Sequence, residues 1–537
     1  MPGIKPGTSN SLPKKKVPKV VHPLATPGYV IIVKFIAACI LNILGFILTY
    51  TLLLIAIPIS LLVKVVQKVV VFVRIHYRNA KAEYGSSSET FWYLTGHEEQ
   101  RPNLVLLLAV KGRISCESVE CLLENRLNPD DQVHFEERAN FKRLFETPKR
   151  LFRELVWLEQ NVECRKTVIQ ADLENACSLS TSDGKVINLQ GFSNCNDWQV
   201  YLYSNNGNLD DNTSSIIVLQ FRHCIVDLHT LVYAASKSLL DKPVFLFREE
   251  ITPTQGFCLG LIALLSGPSI FAKTLLKPKD LVFREPPSAS RKRAIFYSEA
   301  VNRSDVDIVT TATGTSVSDV ILSCLAGSLR SCLKQRGIPF PDDVTVYYPI
   351  NLESSNSLRC FTSFNIFSLP VGTEGAIPRL WEMRQRRGSI SSFVEAIATS
   401  TIMQLAFLIF PASAATRLVE YFTNKASCTV NSILGHTVDQ DLLLDGRTVE
   451  NFLPLEDRGY GLSITIIEYK DSFQLAVLAP ISQDYVIKPA QLCVEFVRHA
   501  RVLSTRLTER ARVVRARGQK LLNSRRNSVF IVEEDDG

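Results

Sequence analysis

A histidine and an aspartate four residues apart carry the clearest chemical potential of the sequence. His223 and Asp227 belong to the segment RHCIVDLHT, which follows the apolar run SSIIVLQF at residues 214–221. The run predicts a buried strand, and the residues after it have helical periodicity. A histidine at such a junction projects into the crevice at the end of a sheet, where layered α/β folds bind substrates and neutral imidazole can act as a general base. Alternatively, His223 is a satisfied core histidine and Asp227 lies on a helix surface.

Signatures of several other chemistries are absent from the sequence. The chain has no G-x-S-x-G, G-x-x-x-x-G-K-[ST], H-E-x-x-H or G-x-G-x-x-G motif and no cysteine-histidine metal spacing, so we expect no metal and no bound cofactor. Thirteen cysteines without a C-x-x-C pair predict reduced thiols and a domain that faces the cytosol. A net charge of +7 over 537 residues is a mild excess that does not indicate a nucleic-acid partner.

Composition and patterning predict a folded chain with one strongly apolar segment. Hydrophobic residues make up 46% and charged residues 21%, which excludes a disordered protein. Strand and helix patterns alternate in both halves, so we expect an α/β sandwich of two lobes. The predicted organisation is a disordered basic arm at 1–27, a membrane anchor at 28–74, an N-terminal lobe at 91–285, a C-terminal lobe at 291–512 and a disordered tail at 513–537.

The anchor prediction rests on 29 residues without a charged side chain, Phe35–Val63. This length predicts a transmembrane helix near Phe35–Ile57, with an amphipathic extension through Arg74. Lysines and arginines are balanced on both sides of the apolar run, which leaves the orientation open and keeps a re-entrant hairpin bent at Pro58 as the alternative. Two further local predictions are helical structure at 141–160 and a buried or interfacial helix pair, interrupted at Gly267-Pro268, within 251–287.

Three segments of the chain resemble the wax ester synthase/diacylglycerol acyltransferase (WS/DGAT) family. RHCIVDLHT resembles its HHxxxDG box, which belongs to the CoA-dependent acyltransferases with an HxxxD signature. The helix TSVSDVILSCLAGSLRSCLKQRG and the strand block LLDGRTVENFLPL with GLSITIIEYKDSFQLAVLA resemble two later family segments, in the expected order. The likeness runs from about Leu104 to Leu507. The chain departs from the family pattern at Arg222, Leu228 and Ser318 and at VNSILG, residues 430–435.

The resemblance implies a two-lobed fold like that of chloramphenicol acetyltransferase, behind the N-terminal transmembrane helix. It also implies an O-acyltransferase that moves a fatty acyl group from acyl-CoA, a substrate rather than a cofactor, to a long-chain alcohol or diacylglycerol. In this interpretation His223 is the general base and Asp227 holds the shape of the loop. Ser318 and Asn365, in TSFNIFSLPVG, are candidate donors to the reaction's oxyanion, or alternatively turn and cap residues.

The expected setting is a membrane, either the endoplasmic reticulum or the plasma membrane, with the catalytic domain in the cytosol. The expected partners are acyl-CoA, the lipid acceptor and the bilayer. A competing interpretation is a non-catalytic lipid-binding or tethering protein that keeps the acyltransferase fold, which the altered box residues favour. A weaker alternative is a luminal or secreted domain, in which the sequons at Asn212 or Asn302 would carry glycan.

Overall fold

The computed structural model describes seventeen segments of the chain. The predicted arm at 1–27 and tail at 513–537 lie outside them. The described residues are 28–76, 82–95, 102–127, 148–151, 154–158, 168–172, 185–187, 198–204, 215–241, 253–284, 293–339, 341–350, 363–387, 389–434, 442–458, 461–480 and 485–509.

The first half of the chain contains a long helix followed by alternating strands and helices. Its elements in chain order are α1 (Gly28–His76), β1 (Ala82–Tyr84), α2 (Ser87–Leu94), β2 (Asn103–Val110), α3 (Cys116–Leu127), β3 (Pro148–Leu151), β4 (Glu154–Leu158), β5 (Val168–Asp172), β6 (Lys185–Ile187), β7 (Trp198–Ser204), β8 (Ser215–Arg222), α4 (Leu228–Ala234) with a π-helical turn at Ala235–Leu239, and α5 (Pro253–Leu276).

The second half repeats this alternation and ends in a long helix. Its elements are β9 (Arg293–Tyr297), β10 (Val301–Asn302), α6 (Arg303–Thr313), α7 (Val317–Gln335), β11 (Val344–Pro349), β12 (Phe364–Leu369), α8 (Ala376–Arg387), α9 (Ser389–Ile409), α10 (Ala412–Thr423), β13 (Cys428–Ile433), β14 (Leu443–Leu444), β15 (Arg447–Asp457), β16 (Leu462–Tyr469), β17 (Ser472–Pro480) and α11 (489–509).

The apolar N-terminal segment forms one continuous helix, α1. It has 49 residues and contains Pro58 without a break, so the alternative of a re-entrant hairpin is wrong. At about 1.5 Å per residue α1 is roughly 74 Å long, more than twice a hydrocarbon core of about 30 Å. Within α1 the segment Asn42–Val70 is long and apolar enough to cross a membrane. The predicted long apolar helix is confirmed, and its insertion in a bilayer stays a prediction.

The second apolar stretch is also a single helix, which corrects the predicted helix pair. Pro268 lies inside α5 and does not end the helix. The segment Thr254–Leu276 meets the same test of length and apolarity as α1. A third candidate in the described residues is the bent pair α6 and α7, at 107°. Because many apolar residues of α7 are buried in the protein core, we regard this pair as part of the domain.

Two large sheets form the body of the protein, and each takes strands from both halves of the sequence. The six-stranded sheet has the order β14-β15-β2-β8-β7-β5, and the eight-stranded sheet has the order β12-β11-β13-β16-β17-β9-β6, with β10 beside β17. Thus β14 and β15 of the second half join the first sheet, and β6 of the first half joins the second. The predicted α/β architecture is confirmed, but the predicted boundary between 285 and 291 does not separate the sheets.

A third, three-stranded sheet has the order β1-β4-β3, and it corrects another local prediction. The charged stretch 141–160 is expected to be helical, yet its described residues form β3 and β4. Residues of β4 pair with β1 on one side and with β3 on the other. Pairing on both sides overrides the local preference, as often happens in strands.

Strand residues of the eight-stranded sheet alternate between two hydrophobic cores. On β16, Ile464 and Ile466 pack in the core beneath α7 and α11, whereas Ile467 belongs to the core shared with the six-stranded sheet. Successive side chains of a strand point to opposite faces, so Ser463 and Thr465 face the six-stranded sheet. This inter-sheet layer is where polar side chains of both sheets meet.

Stability at acidic pH is expected to depend on His499 of α11. Its Nε2 lies 2.9 Å from the Ser331 hydroxyl of α7, and burial, with nearby Arg379 and Arg498, lowers the pKa of His499 to about 4. The unfolded chain therefore binds this proton before the folded protein does as the pH falls below about 6.5. Because of His499, we expect the free energy of unfolding to fall by roughly 3 kcal/mol between pH 6.5 and pH 4.

Urea unfolding of the wild type and of His499→Gln across this pH range measures the effect. The variant should lose less stability than the wild type on acidification, because glutamine can bond to Ser331 without titrating. Parallel curves for the two proteins would contradict the assignment.

Candidate active site

His223 stands where the sequence places it, between a buried strand and a helix. All eight residues of β8 are buried, and the strand ends at Arg222. The His223 N–H donates to the Pro102 carbonyl over 3.1 Å, which fixes the chain as it leaves the sheet beside β2. The imidazole side chain is only 6% exposed. The prediction of a strand-to-helix junction at this histidine is therefore confirmed.

Asp227 caps the helix that follows. Its carboxylate accepts the Thr230 N–H at 2.9 Å and the Thr230 hydroxyl at 2.8 Å, at the first turn of α4. A carboxylate at this position satisfies free helix N–H groups and interacts favourably with the helix dipole. This arrangement suits the predicted role of Asp227 in holding the loop that carries His223.

Substitution of Asp227 should separate its capping role from any role in proton transfer. Asp227→Ala is expected to lower the free energy of unfolding by about 1 kcal/mol, whereas Asp227→Asn, which can still accept the Thr230 N–H, should lose only a fraction of that. Denaturant melts measure both values, with ester formation assayed in parallel. Equal destabilisation by the two variants would contradict a capping role.

A buried glutamate, which sequence reasoning missed, faces the imidazole. Oε1 of Glu456 lies 3.4 Å from Nε2 of His223, and both side chains are almost fully buried. Glu456 lies on β15, which pairs with β2, and β2 pairs with β8, the strand that ends before His223. The signal that could have found it is an acidic pair, ED, at the end of the apolar strand FLPLED.

The Glu456 carboxylate is held in its charged form. Burial alone raises the pKa of Glu456, but the adjacent His223 imidazole, together with Arg458 and Asn431, outweighs burial and lowers it. Glu456 is therefore anionic at neutral pH. A buried carboxylate beside an imidazole fixes its tautomer and orientation and stabilises the imidazolium that forms during proton transfer.

Aromatic and cationic side chains cover the imidazole. The Trp92 ring of α2 stacks on His223 with centroids 3.8 Å apart and planes 20° from parallel. The Arg458 guanidinium carbon lies 5.8 Å from the Trp92 ring centroid and 4.1 Å from that of Tyr347 on β11. Helix α2 begins with a capping box between Ser86 and Glu89. The site is closed in this state, and a substrate must reach the imidazole edge or displace Trp92.

The eight-stranded sheet presents a polar face to this group. Asn431 of β13 is directly paired with Thr465 of β16, and Ser463 lies two residues before Thr465 on the same face. All three side chains are buried, and Asn431 is close enough to Glu456 to help lower the pKa of its carboxyl group. Within the described residues, the hydroxyl oxygens of Ser463 and Thr465 have no hydrogen-bond partner. Buried hydroxyls of this kind can donate to a developing negative charge.

The two other predicted site residues lie elsewhere. Asn365 is buried on β12 directly opposite Tyr348, which packs in the core beneath α7, whereas neighbouring Phe364 stacks near Tyr347 on the other face. Ser318 lies in the first turn of α7, after the N-cap Ser316. Their roles as oxyanion donors stay predictions, and the structure brings Ser463 and Thr465 to the inter-sheet layer instead.

Comparison with known proteins identifies part of the chain. Residues 361–503 match the family model of the WS/DGAT C-terminal domain. Among solved structures, the chain is similar to a wax ester synthase/diacylglycerol acyltransferase from Marinobacter aquaeolei VT8, at 14% identity and a TM-score of 0.48, with 78% of this chain and 98% of that chain covered. It is also similar to the trichothecene 15-O-acetyltransferase TRI3 from Fusarium sporotrichioides, at 10% identity and a TM-score of 0.48, covering 78% and 96%. No curated protein matches the chain.

The family match carries the assignment, because at these identities and TM-scores the structural likenesses carry no argument about activity. The match at residues 361–503 confirms the resemblance to the WS/DGAT family that the sequence predicts. The matched region includes Glu456, Asn431, Ser463 and Thr465, and it begins after His223.

Proposed function

We propose that the protein is a membrane-anchored O-acyltransferase that transfers a fatty acyl group from acyl-CoA to a long-chain alcohol or diacylglycerol. The observation that carries this proposal is the buried pair of His223 and Glu456, formed at the predicted HxxxD position by a strand of the WS/DGAT C-terminal domain. A buried imidazole with an anionic partner is the arrangement that general-base catalysis requires.

The proton transfer follows from this geometry. A neutral imidazole carries one proton, and when Nε2–H donates to Glu456 the lone pair is on Nδ1. Nδ1 takes the proton of the acceptor hydroxyl as its oxygen attacks the carbonyl carbon of the thioester. The carbon–sulfur bond then breaks, and the imidazolium returns the proton to the leaving thiolate. The products are the ester and free CoA, and neither a protein nucleophile nor a metal takes part.

Negative charge on the carbonyl oxygen requires hydrogen-bond donors. The hydroxyls of Ser463 and Thr465 are better placed than the predicted donors, since they face the layer that contains Glu456. Asn365 lies on the opposite face of its sheet. We therefore assign stabilisation of the oxyanion to Ser463 or Thr465. In this buried setting, hydrogen-bond donors stabilise negative charge more strongly than they do in water.

Membrane anchorage supports the choice of a lipid acceptor. Long-chain alcohols and diacylglycerol partition into bilayers, so a domain tethered by α1 meets them at high effective concentration. We propose a cytosolic catalytic domain at the endoplasmic reticulum or plasma membrane, where acyl-CoA is soluble enough to approach from the aqueous side. Glycan on Asn302 would instead indicate a luminal domain, since this residue is accessible to solvent on β10. The other sequon, at Asn212, lies outside the described residues.

Membranes that contain the full-length chain provide the test. Radiolabelled palmitoyl-CoA is supplied with hexadecanol, with dioleoylglycerol or with no acceptor, and lipid products are separated and identified by mass spectrometry. We expect a wax ester or a triacylglycerol that depends on both the chain and the acceptor. Absence of any new ester across the panel would overturn the proposal.

A second candidate is a non-catalytic lipid-binding protein. It is favoured by the burial of the site, in which Trp92 stacks on His223. It is also favoured by Arg222, which stands where the family usually has the first histidine of its box and whose guanidinium carbon lies 4.8 Å from the Tyr93 ring centroid. The two candidates differ in turnover. Lipid that remains bound to the purified chain, without ester formation in the same assay, would favour this second function.

A further inference from the structure

Helix α5 presents a stripe of large apolar side chains to its surroundings. Phe257, Leu261 and Leu265 are spaced by four residues, which places them on one side of a helix, and all three are exposed, Phe257 by 74%. Lys273 is the only charged residue of α5, and Lys277 and Lys279 follow its end. Soluble proteins rarely expose a continuous apolar patch of this kind, so the stripe indicates a partner.

The depth of α5 is set by its crossing with α1. The Tyr50 hydroxyl of α1 donates to the Leu264 carbonyl of α5 over 2.6 Å. A side chain placed at Gly45 would bring its Cβ to 3.3 Å from Pro268, so this glycine permits the close approach of the two helices. Tyr50 lies eight residues, or about 12 Å, inside the segment Asn42–Val70 that can cross a membrane.

Near its crossing with α5, helix α1 has exposed apolar side chains on several sides of its axis. Leu52, Leu54 and Ile55 point in different directions around the helix axis and are each more than half exposed. A helix that is apolar all round, and not buried in protein, is stable in hydrocarbon. Because α5 contacts α1 within this segment, the stripe of α5 lies at the same depth.

The opposite side of α5 is firmly attached to the domain. Ala263 and Ile270 pack against Val394 and Ala398 of α9. Helix α9 in turn packs on α2, the helix that carries Trp92 over His223. Helix α5 is therefore linked through α9 to α2, the helix whose Trp92 covers His223.

We propose that α5 lies in the bilayer beside α1, with Phe257, Leu261 and Leu265 against lipid acyl chains. The exposed lysines at and after its C-terminal end, Lys273 and Lys279, then lie at the level of the lipid headgroups, where cationic side chains are stable. This inference rests on the membrane anchorage in the proposed function and not on catalysis.

Site-specific photocrosslinking tests the proposal in the full-length chain. The photoreactive residue p-benzoylphenylalanine is placed at Phe257, a near-isosteric change at an exposed position. The protein is reconstituted in vesicles of phosphatidylcholine whose acyl chains carry an alkyne, irradiated, and probed for a lipid adduct by fluorescent tagging and peptide mass spectrometry. Leu54 of α1 is the anchor control, and exposed Val494 of α11 is the aqueous control.

The expected result is a lipid adduct at positions 257 and 54, at least fivefold above that at 494. An adduct at 54 without one at 257 would overturn the inference about α5 while leaving the anchorage intact. A crosslink between two copies of the chain through position 257 would also overturn it, because a second copy would then cover the stripe. Loss of adducts at both 257 and 54 would contradict the anchorage itself.

Discussion

Replacement of His223 by alanine is expected to reduce ester formation by about 10² to 10⁴-fold, the usual contribution of a general base. Without the imidazole, the acceptor hydroxyl must lose its proton to water while it attacks the thioester. The effect should fall on kcat, since the lost interaction is made in the transition state. Initial rates with palmitoyl-CoA at saturating acceptor, measured in membranes with matched protein content, provide the comparison.

His229 supplies the matched control for this experiment. It lies six residues further on, in α4, and its Nε2 is 3.3 Å from the Ser432 carbonyl. His229→Ala removes an imidazole from the same region without touching His223, and we expect it to keep most of the activity. Ester formation by His223→Ala at the wild-type rate, in a folded protein, would remove the enzyme proposal.

Replacement of Glu456 by glutamine is expected to lower kcat about tenfold or more while KM changes little. Glutamine keeps the shape of the side chain but removes the charge that stabilises the imidazolium, so part of the general-base contribution is lost. Both parameters come from initial rates between pH 5 and pH 9.

The same substitution should also reveal the charge of Glu456 through stability. Since the folded protein lowers the pKa of Glu456, the ionised group stabilises the fold above its ordinary pKa of about 4.5, and this contribution is lost as the pH falls through the lowered value. Glu456→Gln should therefore be destabilised at neutral pH and approach the wild type in acid. Glu456→Ala, which leaves Arg458 without this anion, should lose about 3 kcal/mol or more.

Glu450 provides the control on the same strand. It is half-buried on β15, six residues before Glu456, and Glu450→Gln removes one negative charge without altering the inter-sheet layer. We expect its kcat and pH profile to match the wild type. If Glu450→Gln and Glu456→Gln have the same profile, Glu456 does not position His223.

Local features of the site could be predicted from the sequence, because they depend on neighbouring residues. The buried run of β8, the turn at His223 and the start of α4 follow from apolar spacing and an aspartate cap. The hairpin of β16 and β17 is equally local, with Asp471 at its turn. Each of these predictions concerns residues that are close together in the sequence, where periodicity and capping residues determine the local structure.

The partners of His223 could not be predicted, because they come from distant strands. Glu456 is 233 residues further along the chain, and it reaches the imidazole only through the order β15-β2-β8. Periodicity shows that a strand is buried but not which strands pair with it. Asn365, predicted as an oxyanion donor or else a turn or cap residue, lies on β12 instead. Periodicity does not show which face of the sheet it occupies, and the face decides which core it enters.

Exchange of strands between the halves has a consequence for biogenesis. If synthesis stopped at the predicted lobe boundary, β2 would remain as an open edge of the first sheet, with all eight residues apolar or buried in the finished protein. Such an edge is a template for aggregation, so the N-terminal portion is a poor candidate for independent expression. Only when the ribosome has released β15 is that edge covered, and the same strand delivers the carboxylate to the imidazole. Completion of the six-stranded sheet and formation of the His223–Glu456 pair are thus a single event.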